Sequence, residues 1–175
     1  EGAGKGGVAY DNCVLIGRNA ATGSLSAGAD GTVAIGLYAL GNETSGTGNT
    51  AIGQQALLST SGNDGNTAVG FRAGMNVTAA SNTLFGYLAG QSITTGAGNV
   101  AIGRNAMGEA AGNAITGGTN TCVGFDAGFN MQGTTANNTI IGTEAGYNLT
   151  TGQNNLFLGN DAGITGSPGG NKTTQ

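Results

Sequence analysis

Three acidic residues occupy one relative position near the carboxyl end of the sequence and are the best candidates for metal chemistry. Asp126, Glu144 and Asp161 each stand two residues after a glycine, 18 and 17 residues apart. On successive turns of a repeated backbone they would form a stripe with a spacing of about 5 Å, which attracts cations such as calcium. Bound calcium needs about six to eight oxygen ligands, and no Asp-rich loop is present. We therefore favour a solvated acidic edge and predict no metal or cofactor site.

A glycine-rich stretch at the start of the sequence, residues 2–7, reads GAGKGG and resembles a phosphate-binding loop. It has neither the Ser or Thr that follows Gly-Lys in such loops nor a preceding strand. We therefore interpret residues 1–11 as a flexible or capping segment. The sequence contains no His, which removes the usual general base and the commonest metal ligand. We predict no catalytic residues and no enzymatic activity.

The charge balance and hydropathy exclude two further classes of partner. The sequence contains five Lys and Arg residues but nine Asp and Glu residues, so a surface that binds nucleic-acid phosphates is not expected. No apolar run reaches the length of about 18 residues that a membrane span requires, and no basic leader precedes an apolar stretch. We therefore expect neither membrane insertion nor a retained signal peptide.

The strands and turns that would position these residues are encoded by a sequence repeat. The stretches NTAIGQQAL at 49–57 and NVAIGRNAM at 99–107 are two of nine copies, whose glycines are 19, 17, 17, 16, 17, 21, 18 and 17 residues apart. With 37 Gly but a single Pro in 175 residues, the chain is neither collagen nor simple disorder. The repeat predicts an all-β fold, a parallel β-solenoid of the β-helix or β-roll type. It has about nine coils of 16–21 residues over 12–165, with 166–175 as a carboxy-terminal tail.

Each copy predicts a three-residue strand that ends at its anchor glycine. The third strand position is always bulky and apolar, and we predict that it is the structural core. The first position is mostly β-branched and shares a face with the third, because strand side chains alternate between faces. The third positions are Ile16, Ile35, Ile52, Val69, Phe85, Ile102, Val123, Ile141 and Leu158. The first positions are Val14, Val33, Thr50, Thr67, Thr83, Val100, Thr121, Thr139 and Leu156.

Two columns outside the strand indicate how each coil turns. An Ala three residues after the glycine predicts a narrow interior corner, and an Asn four residues before it predicts a turn ladder in which amides bridge neighbouring coils. A weaker apolar position seven residues after the glycine predicts a second strand, at Val77, Ile93, Ala110, Met131 and Leu149. The corner residues are Ala20, Ala39, Ala56, Ala73, Ala89, Ala106, Ala127, Ala145 and Ala162. The turn-ladder residues are Asn49, Asn66, Asn82, Asn99, Asn120, Asn138 and Asn155.

The middle strand position is apolar in every copy, although alternation points it away from the predicted core. An exposed apolar stripe is an association surface, so we predict that this column is an interface around a three-fold axis. The alternatives are that a long loop of the same chain covers it, or that its small Ala members tolerate exposure to water. The predicted interface residues are Leu15, Ala34, Ala51, Ala68, Leu84, Ala101, Cys122, Ile140 and Phe157.

The two cysteines test the register of the coils. Cys13 and Cys122 belong to copies one and seven, about 29 Å apart at the usual strand spacing, whereas a disulfide needs Cα atoms within about 7 Å. We predict that no intrachain disulfide joins them.

The repeats GNTAIGQQAL and NTAVGFRAG resemble those of bacteriophage tail-fibre and related surface-fibre proteins. More loosely, they are similar to the head repeats of trimeric autotransporter adhesins of the YadA type. The resemblance covers about residues 12–165, although the Asn stands one residue closer to the Gly than in the adhesin heads and the coils are longer. It implies a homotrimeric, non-catalytic rod, extracellular, on the cell surface or on a virion, that spaces or attaches. A cell-surface receptor or a glycan would be its partner.

Two other functions remain open at this level. One is a subunit of an extracellular filament that assembles end to end through uncapped coils. The other is a ligand-binding or ice-binding solenoid, suggested by the Thr residues at the first strand position. Because the Thr column shares a face with the predicted core, we favour buried strand packing over ice binding.

Overall fold

The computed structural model describes residues 12–23, 29–108 and 114–163. These residues contain nine strands and no helix. The strands form one parallel sheet in which each strand pairs with the next in sequence, so the chain is a β-solenoid of about eight turns. The strands are β1 (Val14–Ile16), β2 (Val33–Ile35), β3 (Thr50–Ile52), β4 (Thr67–Val69), β5 (Thr83–Phe85), β6 (Val100–Ile102), β7 (Thr121–Val123), β8 (Thr139–Ile141) and β9 (Leu156–Leu158).

The register of the sheet follows the sequence repeat without a shift. Each first position pairs with a first position and each third position with a third, for example Thr83 with Val100 and Phe85 with Ile102. At a spacing of about 4.8 Å, nine strands make a rod of about 38 Å. The predicted all-β parallel solenoid is therefore confirmed. The segments 1–11 and 166–175, and the parts of the two longest repeat intervals at 24–28 and 109–113, lie outside the described residues.

Every strand ends at its anchor glycine, which has a positive φ in all nine copies and leaves no room for a Cβ in eight of them. Gly103 has a φ of 127°, and a Cβ on it would lie 2.4 Å from the carbonyl oxygen of Gly124 in the next coil. Two residues later the backbone becomes left-handed, with a φ of 53° at Asn105, and it does so again at Met107 with a φ of 49°. These conformations turn the chain sharply away from the sheet.

The structure reverses the predicted inward and outward faces of the strands. The third-position residues, predicted as core, lie on the outside: Ile16 is 57% exposed, Phe85 51% and Leu158 62%. Ile52, Ile102 and Ile141 are also exposed, and Ile35, Val69 and Val123 are half-buried. The middle column, predicted as an interface, is the core instead. Ala34, Ala51, Ala68, Leu84, Ala101, Cys122, Ile140 and Phe157 are buried, and Leu15 packs against them.

The narrow interior of the coil explains this reversal. Two residues of each coil share the space between its walls, the middle strand residue and the residue four after the glycine. Ala34 and Ala101 are small and are accompanied by Leu40 and Met107, which are both fully buried. Leu84 is large and is accompanied by Gly90, where a Cβ would lie 2.6 Å from a Leu84 methyl carbon. One large side chain fills each of these coils, so a column of nine bulky residues has no room inside.

The predicted second strand is wrong. Val77, Ile93, Met131 and Leu149 are fully buried, as an apolar column should be. In the described part of the chain, however, pairing outside the main sheet is limited to isolated bridges, such as Ile93 with Ile115. Because the intervals vary from 16 to 21 residues, this side of the coil does not keep the constant register that a continuous sheet needs. Ala110 lies outside the described residues.

Candidate interaction surface

The most unusual surface of the molecule is the outer side of its sheet, formed by the first and third positions of the nine strands. We call these eighteen positions the sheet face. It carries no charged, amide or glycine residue, and its polar side chains are five Thr hydroxyls. Three Val, a Leu and the third-position column supply the rest. The sheet face is therefore an uncharged strip of β-branched and bulky apolar side chains.

Exposed apolar surface is concentrated on this strip. Eight of the large hydrophobic residues that are exposed in the described structure belong to the sheet face, and the other three, Tyr38, Tyr87 and Phe125, stand two or three residues past a strand. The strip is about 38 Å long and about 10 Å wide, or roughly 380 Å² in projection. Apolar patches of this extent on a soluble protein usually mark an interaction site.

The corner residues after each strand are packed inside the coil. Ala20, Ala39, Ala56, Ala73, Ala89, Ala106, Ala127 and Ala145 are fully buried, and Ala162 packs against the core. Each described corner amide donates a hydrogen bond back to its own anchor glycine, as Ala106 does to the carbonyl oxygen of Gly103 at 3.3 Å. The predicted interior corner is confirmed, because a larger side chain would occupy the space of the core residue beside it.

The predicted Asn ladder is also confirmed and fixes the spacing of the strands. The backbone N–H and side-chain Nδ2 of Asn99 both donate to Oδ1 of Asn82, at 3.0 and 3.2 Å. Oδ1 of Asn99 in turn accepts from the N–H and Nδ2 of Asn120, both at 3.0 Å. The same pattern runs from Asn49 through Asn66, Asn138 and Asn155. All seven are buried, so these bonds are made in a region of low dielectric.

A buried carboxylate stands at the amino end of this ladder and was not predicted from the sequence. Glu43 is fully buried, and its Oε2 accepts from Nδ2 of Asn49 at 3.2 Å. Its Oε1 accepts from the backbone N–H groups of Thr44, Ser45, Gly46 and Gly62. Four amide donors compensate for the burial of its charge. A signal was present, because Glu43 stands seven residues after its glycine, at a position that is otherwise mostly apolar.

A stack of flat side chains borders the sheet face, two residues past the strands and directly after the anchor glycines. The rings of Phe71 and Tyr87 are stacked with centroids 5.3 Å apart. The guanidinium of Arg104 lies 6.0 Å from the Tyr87 ring centre and 5.2 Å from that of Phe125. The stack joins coils four to seven along the rod. Because the ring faces are occupied by one another, the stack offers edges rather than an open platform to a ligand.

The acidic stripe does not form a metal centre in the described structure. Asp126, Glu144 and Asp161 lie on successive coils with left-handed backbones, and Oδ1 of Asp126 accepts from Nδ2 of Asn105 at 2.9 Å. Residues 12–23, 29–108 and 114–163 contain no group of three or more His, Cys, Asp or Glu side chains that could hold a metal ion. The stripe is an acidic edge of the rod.

Neither Cys13 nor Cys122 forms a disulfide in the described structure. Cys122 belongs to β7 and is fully buried, with its Sγ 3.6 Å from Sδ of Met131. Desolvation by burial raises the pKa of the Cys122 thiol well above its ordinary value. Cys13 is partly buried beside β1, and its Sγ donates to the carbonyl oxygen of Ala29. The two lie six strands apart in the sheet, as the register predicted.

Comparison of the chain with family models, curated proteins and solved structures found no match in any of the three. Within the described ranges, no helix has the length and apolar character needed to cross a bilayer. The solenoid fold therefore rests on the chain's own coordinates, and its function is inferred from the geometry of the sheet face together with the resemblance of the repeats.

Proposed function

We propose that this chain is a non-catalytic rod segment of an extracellular or virion fibre, which acts as a homotrimer and spaces or attaches the fibre at a host surface. The observation that carries this proposal is the uninterrupted register of nine strands, with an apolar strip along the whole length. Such a rod sets a distance along one axis. The resemblance of the repeats to those of tail fibres and surface fibres supports the same function.

The internal ladders suit this mechanical role. The Asn residues join each coil to the next through two hydrogen bonds to one oxygen, and seven coils take part. Because each repeat contacts mainly its neighbours, the stability of a solenoid is roughly a sum over coils and interfaces, and coils can be added or removed in whole units. Length is then a property that changes without loss of the fold.

A deletion of two coils tests the spacer function. Removal of residues 50–82 joins Asn49 to Thr83 and keeps every ladder and strand position in register. We expect a folded rod that is shorter by about 10 Å, measured as the maximum dimension in small-angle X-ray scattering. A compact particle in place of a rod, or a length that the deletion leaves unchanged, would contradict the proposal.

The outward position of the Thr column favours ice binding as a second candidate function. Thr83 and Thr139 are exposed and Thr50, Thr67 and Thr121 are half-buried, so the expectation that these residues are buried is wrong. A flat, uncharged array of methyl and hydroxyl groups at a constant spacing is a surface on which water can order. Measurement of thermal hysteresis and ice-crystal shape with the purified protein tests this candidate, and ordinary ice growth would exclude it.

A further inference from the structure

The sheet face needs a partner whose surface repeats at the same distance. Its side chains form nine parallel rows, and the hydrogen-bonded register fixes the spacing of the rows at about 4.8 Å. Rows of side chains pack closely only against grooves of the same period. A surface of irregular spacing would match a few rows and leave voids at the others, and voids lose contacts.

The chain itself is a surface of matching period. A second copy presents the same nine rows at the same spacing, so the rows of the two copies stay in register over the full length. Charge places no obstacle, since none of the eighteen positions is ionisable. Two copies that meet along the sheet face would cover all nine rows of exposed apolar side chains at once.

We propose that the sheet face is the surface through which copies of this chain associate, with the rods side by side and β5 of one copy against β5 of the next. This inference rests on the proposed rod function and names its partner. Complete overlap of nine rows buries the most apolar area, whereas a shift by one coil exposes a row at each end. Because the copies of a homotrimer run parallel around its axis, complete overlap brings β5, the fifth of nine strands, level with its own counterpart at the middle of the contact.

Two residues of the middle strand give this interface a defined centre. Thr83 is exposed, and Phe85 is the bulkiest residue of the sheet face. On the adjoining strands the same column carries the smaller Val69 and Ile102. Phe85 therefore projects beyond its neighbours at the middle of the strip, where contact between copies is expected first.

A matched pair of charge substitutions tests the inference. Thr83→Asp places a carboxylate at the centre of the sheet face, and Thr151→Asp makes the same change at an exposed residue outside it. We expect the wild type and Thr151→Asp to have the mass of an oligomer by light scattering after size exclusion. We expect Thr83→Asp to have the mass of a single chain and an unchanged circular dichroism spectrum, because it buries like charges against one another.

A second variant decides the matter if Thr83→Asp fails to fold. Thr83→Cys in a Cys13→Ser background should form an interchain disulfide under mild oxidation, while Thr151→Cys in the same background should not. A wild type that is a single chain, or a Thr83→Asp variant that keeps its oligomeric mass, would overturn the inference. A single-chain wild type that shapes ice would assign the face to ordered water instead. Single-chain rods whose length follows the number of coils would leave the spacer function standing and reject only this interface.

Discussion

The two sides of the sheet differ in a direction opposite to that expected for a small protein. The inner column holds four Ala among its nine residues, whereas the outer third-position column holds only Ile, Val, Leu and Phe. In a globular domain the larger apolar side chains would be inside. In this solenoid the interior is thin and already partly filled by side chains of the opposite wall, so the larger residues of the strand lie on the outside. Size alone therefore does not identify the core of a narrow coil.

The two sides also differ in how strictly they constrain their residues. Inside, each side chain meets a neighbour from its own coil and from the coils above and below, as Leu84 does near Gly74 and Gly90. Outside, side chains as different as Val69 and Phe85 occupy one column. The inner side determines whether the chain folds, and the outer side determines what the folded rod contacts.

The largest expected effect comes from one charge placed on either side of β6. Ala101→Asp buries a carboxylate with no partner in the inner column, where Ala101 is fully buried, and we expect a loss of about 4 kcal/mol in the free energy of unfolding. Ile102→Asp adds the same charge next to it on the sheet face, where Ile102 is 40% exposed. It should cost the isolated chain about 1 kcal/mol or less.

Urea unfolding at low protein concentration measures both variants without a contribution from association. Mass by light scattering at high concentration then reports the second role of Ile102, because Ile102→Asp should separate the copies. Equal destabilisation by the two substitutions would show that the inner and outer sides are not distinct.

The next effect compares two Asn residues of one coil. Asn99→Ala removes one rung of the ladder, which leaves the buried N–H of Asn120 without its acceptor and removes the two Nδ2 bonds of that rung. Oδ1 of Asn82 keeps only the bond from the backbone N–H of residue 99. We expect a loss of about 3 kcal/mol. Asn105→Gly removes one partly buried bond to Asp126 at the edge of the rod, suits the left-handed backbone of this residue and should cost about 0.5 kcal/mol. Thermal unfolding of both variants is the measurement, and similar costs would contradict a structural role for the ladder.

The sequence predicted the position of every strand but not its orientation. Alternation shows that Val100 and Ile102 share one face and Ala101 another, yet it does not say which face closes the coil. The missing signal lies in a second column, four residues after the glycine. That column holds Leu40, Leu57 and Met107 beside three of the four Ala, and Gly90, Gly128, Gly146 and Gly163 where the middle residue is larger. The fourth, Ala68, is accompanied by Gly74, and there the side chains of Leu57 and Leu84 reach in from the adjoining coils. An inverse relation of size indicates that two positions share one space.

Whether a feature could be predicted depended on whether it repeats at one position in every coil. The Asn ladder and the Ala corner were predictable because each requires one residue type at one position in every coil. Glu43 departs from its column, so its hydrogen bonds to four backbone amides depend on a local loop that occurs once. The second strand was predicted from burial alone, and burial does not determine pairing.

The shared interior space predicts a coupling between two substitutions. Leu84→Ala should cost about 3 kcal/mol through the cavity it leaves. Gly90→Met should cost about 2 kcal/mol, because its side chain would overlap that of Leu84. The double variant recreates the combination of Ala101 and Met107 in the next coil, whose left-handed backbone already accepts a Met.

We therefore expect the double variant to be more stable than the sum of the two losses implies, by about 1.5 kcal/mol. A double-mutant cycle from urea unfolding gives this value. Strict additivity of the two losses would mean that Leu84 and residue 90 do not compete for one space, and the account of the reversed faces would lose its physical basis.

The smallest expected effect is a pH dependence of the unfolding free energy, which tells whether Cys122 lies on the inner or the outer side of the sheet. Because burial raises the pKa of the Cys122 thiol, the folded chain keeps this proton, while the unfolded chain releases it above about pH 8.5. The unfolded state then binds fewer protons, so this contribution to stability is fully present below about pH 8.5 and falls as pH rises, by about 1.4 kcal/mol per pH unit. Cys122→Ala, a residue that occurs at four other positions of the inner column, removes the slope but leaves Cys13 and the tyrosines unchanged. The difference between wild type and variant in unfolding free energy should be constant from pH 7 to 8 and about 1 kcal/mol smaller near pH 9.5. If Cys122 faced outward, its thiol would ionise alike in both states, and the difference would not change with pH.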